Sequence, residues 1–242
     1  MNNNAVRICI IIPTYNNTHT IGPLIEQLKP YLFPCLIIND GSDAPTHAIL
    51  DSLANTHHNW VQVFHRPNNQ GKGGALKYGL KQAYEQGFTH ALQLDADLQH
   101  QVSEINSFVQ SVHNWPQAFI IGQPIFDKSA PLSRRLGRYF THIFIWLETW
   151  SFQIKDALCG YRVYPLDSTI AVLNKSIIGD RMDFDPEIAV RLFWHKVPIV
   201  NVPTHVLYYK DGVSHFDVYM DNLRLTRMHI KLLWCLLWRT CR

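Results

Sequence analysis

The residues that decide the fold read LQLDADLQH over positions 92–100, where an apolar run ends in two carboxylates, an amide and an imidazole. We predict a buried strand over 88–94, so that Asp95 and Asp97 stand where the backbone leaves the sheet. Oxygen ligands at such a turn suit Mg²⁺ or Mn²⁺. Proteins usually hold such an ion with only one or two carboxylates, and substrate phosphates complete its coordination shell. A site this sparse therefore indicates a diphosphate ligand. The alternative is that Asp97 caps a helix beginning near residue 101.

Three further apolar runs precede this stretch, and each ends in a polar loop. We predict strands over 6–12, 33–38 and 60–64, followed by the loops PTYNN (13–17), NDGSD (39–43) and HRPNNQGKGG (65–74). Helices are predicted over 22–31, 75–86 and 102–113. Polar loops that consistently follow buried strands predict an α/β fold with a mainly parallel central sheet flanked by helices. The ligand site then lies at the carboxyl ends of the strands.

The second half of the chain is less regular. The patterns predict a strand over 118–122, an amphipathic helix over 143–147, a helix over 183–194 and a strand over 197–207. A long final helix runs from Ser214 or His215 to Trp238. A chain of 242 residues is long enough for one large domain. We divide it into a domain over 1–215 and an amphipathic C-terminal helix over 216–242.

Composition narrows the class of protein. The net charge is only +3, with Lys and Arg dispersed, so we expect no nucleic-acid partner. Five scattered cysteines without a C-x-x-C pair predict reduced thiols in a cytoplasmic setting. The first residues lack the pattern of a signal peptide, and no run reaches the approximately 20 apolar residues of a membrane span. We therefore expect a soluble or peripherally attached protein.

Five short motifs occur in one order: PTYN (13–16), NDGSD (39–43), NQGKGGA (69–75), DADLQH (95–100) and CGYR (159–162). Together they closely resemble the family 2 glycosyltransferases of the GT-A fold, in the branch of dolichyl- and undecaprenyl-phosphate sugar synthases. The resemblance implies an inverting, metal-dependent transfer from a nucleotide-diphosphate sugar. It also implies a lipid-linked acceptor, either a polyprenyl phosphate or a glycolipid of the cell envelope.

The resemblance assigns the first loops to the nucleotide. The residues it implies there are Pro13, Tyr15, Asn17, Asp40, Gly41, Gly71, Lys72 and Asp95. Taken alone, Tyr15 could also be a core residue and Asp40 a helix cap. The family often has Glu where this chain has Asn17. The glycine–lysine loop offers backbone N–H groups and an ammonium at a helix start, which suits a phosphate.

The remaining candidates concern the metal and the acceptor. Asp95, Asp97 and Gln99 are the expected metal ligands. A phosphate acceptor needs positioning more than deprotonation, and guanidinium groups match its oxygens in pairs. The candidates for that role are Arg134, Arg135, Arg138, Arg162 and His100. A hydroxyl acceptor needs a general base instead, for which the candidates are Asp185, Glu187 and Asp156. Each of these roles has a structural alternative. Gln99 and His100 could be solvated loop residues, and Asp185 and Glu187 could serve only to stabilise the first turn of a helix through its dipole.

The C-terminal helix allows two interpretations. Its apolar side, tryptophans and basic residues suit a membrane interface, and an ordinary terminal helix that packs on the core has the same pattern. The first interpretation, with residues 143–150 as a second contact, places the protein peripherally at the inner face of the cytoplasmic membrane. The competing functions are a sugar nucleotidyltransferase and a non-catalytic module that binds nucleotide or a membrane surface.

Overall fold

The computed structural model describes residues 5–125, 132–207 and 217–238, and for 132–136 it describes the backbone alone. The strands in these ranges are β1 (Ile8–Thr14), β2 (Cys35–Asp40), β3 (Val61–Arg66), β4 (His90–Gln93), β5 (Phe119–Ile125), β6 (Arg162–Pro165) and β7 (Ile199–His205). The α-helices are α1 (Ile21–Leu28), α2 (Ala44–Thr56), α3 (Lys72–Glu85), α4 (Ile105–Asn114), α5 (Leu132–Thr149), α6 (Leu166–Lys175), α7 (Phe184–Trp194) and α8 (Val218–Trp238).

The strands form one sheet in the order β3-β2-β1-β4-β6-β5-β7. Only β6 runs antiparallel to its neighbours, β4 and β5, so the predicted mainly parallel α/β sheet is confirmed. The antiparallel strand itself was not predicted, because four buried residues carry no alternation. Because β6 is antiparallel to β4, β6 begins beside the end of β4, and Arg162 lies opposite Gln93. The segment before β6 is thereby brought to the edge that carries the DADLQH stretch.

Both faces of the sheet are covered, which explains the continuous apolar runs of the strands. Along β1, Ile10 and Ile12 pack into a cluster with α1 and α4, whereas Ile11 packs into the cluster on the opposite face with α3 and α7. All three side chains are fully buried. Burial of a side chain of this size contributes about 1.5–3 kcal/mol, so the sheet forms a rigid support for the loops at its edge.

Several predicted boundaries differ from the observed ones. Helix α3 begins at Lys72, three residues earlier than predicted, because Gly71 turns the chain with a φ of +99°. Helix α2 was not predicted; Asp43 caps it by accepting a 3.0 Å hydrogen bond from the N–H of Thr46. The predicted start of the final helix lies outside the described residues.

The cysteines only partly match the prediction of reduced thiols. Cys9, Cys35 and Cys159 are free and buried. Cys235 is disulfide-bonded, so the prediction is wrong for this residue. Within the three described ranges, no helix has the length and apolar character needed to cross a membrane.

Candidate active site

The loops after β1, β2 and β3 are joined by hydrogen bonds at one edge of the sheet. The N–H of Asn16 donates to Ser42 Oγ at 3.0 Å. Asp40, at the end of β2, accepts from the N–H of Gly71 at 2.7 Å and of Gln70 at 3.2 Å, and it also pairs with Arg66. Asp40 therefore holds the glycine–lysine loop in place. The alternative that it caps the next helix is wrong, since Asp43 has that role.

The other residues predicted to contact the nucleotide line the same loops. Asn17 Oδ1 accepts a hydrogen bond from the N–H of Tyr15 at 3.1 Å, which fixes the turn that follows buried Pro13. Gly41 has a φ of +70°, and a Cβ there would lie 2.6 Å from the backbone N of Asn69. This close approach explains the glycine. The contacts of these residues with a nucleotide stay a prediction.

Lys72 lies between two carboxylates rather than free at the helix start. Its Nζ is 2.8 Å from Asp95 Oδ1 and 3.0 Å from Asp185 Oδ2. Burial alone would lower the pKa of Lys72, but Asp185 and Asp95 outweigh it and raise this pKa. Burial likewise opposes ionisation of Asp95, and Lys72 outweighs it, so the pKa of Asp95 is lowered. The ammonium therefore joins the β4 loop to the start of α7 and stays charged.

Asp97 does not cap the helical turn that follows. Its Oδ1 accepts from the N–H of Gln99 at 3.0 Å, whereas Gln101, the cap of that turn, makes no capping side-chain bond. Burial and the neighbouring charge of Asp95 raise the pKa of Asp97 to about 6. A cation would relieve this repulsion between two carboxylates. The donors of Asp95, Asp97 and Gln99 are hard oxygens, which fit Mg²⁺ or Mn²⁺.

Such a metal site would rely on its substrate. In the described part of the chain, no group of three or more His, Cys, Asp or Glu side chains has a metal-binding arrangement. Two carboxylates and an amide leave most of an octahedral shell to water and phosphate oxygens. The donor set therefore fits an ion that binds together with a diphosphate, as the sequence predicts.

His100 is a buried part of the site and not a solvated loop residue. Its Nδ1 is buried without a hydrogen-bond partner, and its ring contacts Tyr161 with centroids 5.3 Å apart. Burial lowers the pKa of His100 to about 4, although Asp95 opposes the shift. The imidazole is therefore neutral at pH 7.

Asp156 is engaged in a turn, which contradicts its prediction as a free general base. Its Oδ1 accepts from the N–H groups of Leu158 and Cys159 at 2.8 and 2.7 Å. Its Oδ2 lies 2.7 Å from Arg138 Nη1 and 3.4 Å from His142 Nε2. Burial would raise the pKa of Asp156, but Arg138 and His142 outweigh it and lower this pKa. The carboxylate positions Arg138, a predicted ligand of the acceptor.

Arg162 cannot bind an acceptor in this arrangement, which contradicts the prediction. The side chain is fully buried, and its three nitrogens donate to the carbonyl oxygens of Cys159, Asp185 and Ala157 at 2.8, 2.9 and 3.0 Å. The guanidinium thus ties β6 to α7. The side chains of Arg134 and Arg135 lie outside the described residues.

Asp185 and Glu187 lie in the first turn of α7 but differ in their partners. Asp185 Oδ1 is buried without a hydrogen-bond partner, 3.4 Å from Arg162 Nη1, while Oδ2 faces Lys72. Glu187 is fully buried and accepts from Arg191 Nε at 2.8 Å and from Lys231 Nζ at 2.7 Å. Its prediction as a general base is contradicted, because two cations neutralise it away from the site. Asp185 stays a candidate.

The sequence analysis missed two cations beside the glycine–lysine loop. Arg66 is the last residue of β3 and lies opposite Asp40, the last residue of β2. Opposite charges near the ends of two predicted neighbouring strands are the sequence signal that could have identified Arg66. Arg181 precedes α7, and its Nη1 donates to Asn69 Oδ1 at 3.1 Å. No local sequence signal places Arg181 near a loop more than one hundred residues away.

Comparison with known proteins decides the family. The sequence model described as glycosyl transferase family 2 matches residues 9–181, most of the chain. The chain belongs to this family. This confirms the resemblance predicted from the five motifs, and the protein is a glycosyltransferase.

Two curated relatives illustrate the similarity of this family 2 glycosyltransferase to enzymes named for polyprenyl lipids. A polyprenol monophosphomannose synthase from Mycolicibacterium smegmatis is 32% identical over 229 residues, which cover 86% of this chain and 80% of the relative. A UDP-N-acetylglucosamine–dolichyl-phosphate N-acetylglucosaminyltransferase from Methanococcus voltae is 28% identical over 217 residues, covering 83% and 86%.

Solved structures confirm the GT-A fold of the glycosyltransferase. Glucosyl-3-phosphoglycerate synthase from Mycobacterium tuberculosis, in complex with Mn²⁺ and UDP-glucose, has a TM-score of 0.69 and 13% identity, covering 96% of this chain and 79% of that one. The mannosyltransferase PcManGT from Pyrobaculum calidifontis, in complex with GDP-Man and Mn²⁺, has a TM-score of 0.61 and 14% identity, covering 93% and 62%. At these identities the likeness extends to the fold alone.

Proposed function

We propose that this glycosyltransferase transfers a sugar, with inversion, from a nucleotide-diphosphate donor to a polyprenyl phosphate, with Mg²⁺ or Mn²⁺ as cofactor. The observation that carries the proposal is the position of Asp95 and Asp97 beside the start of α3, where Lys72, the first residue of the helix, lies 2.8 Å from Asp95 Oδ1. That combination suits a metal-bound diphosphate. The names of the two relatives, which include polyprenol and dolichyl phosphate, support the choice of acceptor.

The described residues have separate roles in metal binding and in positioning the acceptor. Asp95, Asp97 and Gln99 would hold the ion, which supplies Lewis-acid stabilisation of the charge that builds on the departing diphosphate. Lys72 keeps Asp95 ionised and in place. A phosphate acceptor is already a nucleophile, so the chain has only to position it, and Arg138, held by Asp156, is the described cation for that task.

A hydroxyl acceptor, as on a glycolipid, is the second candidate. It is favoured by Asp185, whose Oδ1 is buried without a hydrogen-bond partner while Oδ2 is held by Lys72. A carboxylate that is held in place, with one oxygen that accepts no hydrogen bond, suits a general base that accepts the hydroxyl proton. The Asp185→Asn variant separates the two candidates. A hydroxyl transfer should lose on the order of 100-fold or more in kcat, whereas a phosphate transfer should keep most of its rate.

The direct test of the proposal is nucleoside diphosphate release from UDP- and GDP-sugars with Mg²⁺ or Mn²⁺ and polyprenyl phosphate. Asp97→Ala should lower turnover by at least about 100-fold, because several kcal/mol of charge stabilisation are lost. Full metal-dependent turnover by this variant would contradict the assignment. Release of pyrophosphate would identify a nucleotidyltransferase, and donor binding without turnover on any lipid extract would identify a non-catalytic module.

We also propose that α5 and α8 contact the cytoplasmic face of a membrane. The two helices pack together through the stacked rings of Phe144 and His229 and the Glu148–His229 hydrogen bond. The two helices expose large apolar side chains, and so does Trp150, which directly follows α5; the helical ones are Tyr139, Phe140, Leu147, Trp234, Leu237 and Trp238. Exposed tryptophans beside an apolar helix face are typical of interfacial helices. A lipid acceptor would reach the enzyme at such a surface.

Vesicle flotation tests this surface. A Trp234→Ser and Trp238→Ser double variant should float less with anionic phospholipid vesicles than the wild type. Trp115→Ser is the matched control, because Trp115 is as exposed as Trp234 (59% and 60%) but directly follows α4, which packs on the opposite face of the sheet from α5 and α8. Equal flotation of all three proteins would overturn the membrane assignment.

A further inference from the structure

Arg181 lies across the glycine–lysine loop, although it comes from the segment between α6 and α7. A Cβ on Gly71 would stand 2.9 Å from Arg181 Cδ and 2.6 Å from the carbonyl oxygen of Asp180. The guanidinium reaches past Gly71 and donates to Asn69 Oδ1 at 3.1 Å. The absence of a side chain at Gly71 therefore lets this arginine lie directly on the loop.

The segment that carries Arg181 is fixed to α3. The N–H of Gly74 donates to the carbonyl oxygen of Asp180 at 2.8 Å. Lys77 Nζ lies 2.7 Å from the carbonyl oxygen of Ile178 and 2.6 Å from Asp180 Oδ1. Arg181 is thus held beside the glycine–lysine loop at the start of α3, where the sequence predicts a phosphate.

Arg181 differs from the other cations at this edge in having no carboxylate partner. Four described cations each pair with at least one carboxylate: Arg66, Lys72, Arg138 and Arg162. No carboxylate of the described residues lies within 4.0 Å of the Arg181 guanidinium. The adjacent acids are occupied, since Asp180 pairs with Lys77 and Asp183 accepts from the backbone N–H of Arg181. No carboxylate of the described residues therefore compensates the half-buried guanidinium, which leaves it available to an anionic ligand.

We propose that Arg181 binds the diphosphate of the nucleotide donor. This inference rests on the proposed function and names a residue that contacts the donor there. The diphosphate brings at least two negative charges to an edge already crowded with Asp40, Asp95 and Asp97. A guanidinium fork matches phosphate oxygens in pairs and supplies the missing positive charge. Donor binding then depends on a residue from the second half of the chain.

Calorimetric binding of UDP and GDP with Mg²⁺ tests the assignment, with uridine and guanosine as phosphate-free probes. Arg181→Gln should weaken the preferred diphosphate at least about tenfold and leave its nucleoside unchanged, because only the phosphates lose a partner. Arg181→Lys should restore part of the affinity. The control Lys29→Gln removes an exposed cation after α1 and should change neither. Thermal unfolding checks that each variant is folded.

The assignment would be overturned by unchanged diphosphate affinity in Arg181→Gln, or by an equal loss of affinity for diphosphate and nucleoside. Binding of neither UDP nor GDP by the wild type would also overturn it. Turnover is measured separately. A wild-type protein that binds the diphosphate but transfers no sugar would contradict the proposed function, and loss of that binding in Arg181→Gln would still support the role of Arg181.

Discussion

Gly160 packs so closely against Asp95 that a Cβ on the glycine would overlap the Oδ2 atom of the carboxylate. The loop before β6 thus forms the wall behind the first carboxylate of the DADLQH stretch. Lys72 holds the same carboxylate from the other direction at 2.8 Å. Asp95 therefore has a single position, set by two segments distant in sequence.

Gly160→Ala should inactivate the enzyme without unfolding it. The new methyl group displaces Asp95 from its position, and a displacement of about 1 Å can cost on the order of 100-fold in rate. The measurement is nucleoside diphosphate release together with thermal unfolding. Gly22→Ala is the matched control, since a Cβ at Gly22 meets no atom within 4 Å. Equal activity of the two variants would show that the position of Asp95 is unimportant.

Arg162→Met should destabilise the protein rather than only weaken acceptor binding. It leaves three buried carbonyl oxygens without their donor and removes the positive charge 3.4 Å from Asp185 Oδ1, and breaking a buried charge interaction of this kind costs about 3–5 kcal/mol. Urea unfolding measures the change in the free energy of unfolding. Arg7→Met, at an exposed arginine, should cost less than about 1 kcal/mol. An Arg162 variant with unchanged stability and a raised acceptor KM would restore the original prediction.

Glu187→Gln should lower stability and leave the chemistry intact. Glu187 is neutralised by Arg191 and Lys231, so loss of its charge leaves two cations without their common partner, at a cost of about 3 kcal/mol. Where the variant is folded, kcat should stay within about threefold of wild type. The control is Glu85→Gln at the exposed end of α3. A 100-fold lower kcat at unchanged stability would identify Glu187 as the base.

Glu148→Gln should remove one pH-dependent part of the stability. Burial raises the pKa of Glu148 above its ordinary 4.5, against the influence of His229 and with a contribution from Glu187. Between the two pKa values the folded protein keeps a proton that the unfolded chain has lost. The contribution of protonated Glu148 to the free energy of unfolding is therefore complete below pH 4.5, and it is lost as pH rises through the higher folded pKa.

The free energy of unfolding, measured by urea from pH 4.5 upwards, checks this sign. The wild type should lose stability relative to Glu148→Gln as pH rises, until Glu148 is ionised in the folded state. Glu85→Gln, at an exposed position, should follow the wild type. A constant difference between wild type and Glu148→Gln at all pH values would contradict the raised pKa.

The sequence alone determined the parallel sheet and the edge that carries the site. Buried runs such as β1 and β2 end in polar loops, and the carboxyl ends of parallel strands must meet at one edge. The order of the five motifs likewise predicted the family. Asp95 and Asp97 were found because they come soon after a predicted strand, whereas the position of the Asp95 carboxylate depends on Lys72 and Gly160, which are distant in sequence.

Only the tertiary structure decided which charged groups are available to a ligand. Arg162, Asp156 and Glu187 have the right chemistry for catalysis, but partners distant in sequence occupy them. Arg181 has no comparable motif, and it reaches the glycine–lysine loop only because its segment packs on α3. The physical reason is that charge pairing depends on separations of about 3 Å, which chain folding sets and which sequence spacing does not reveal.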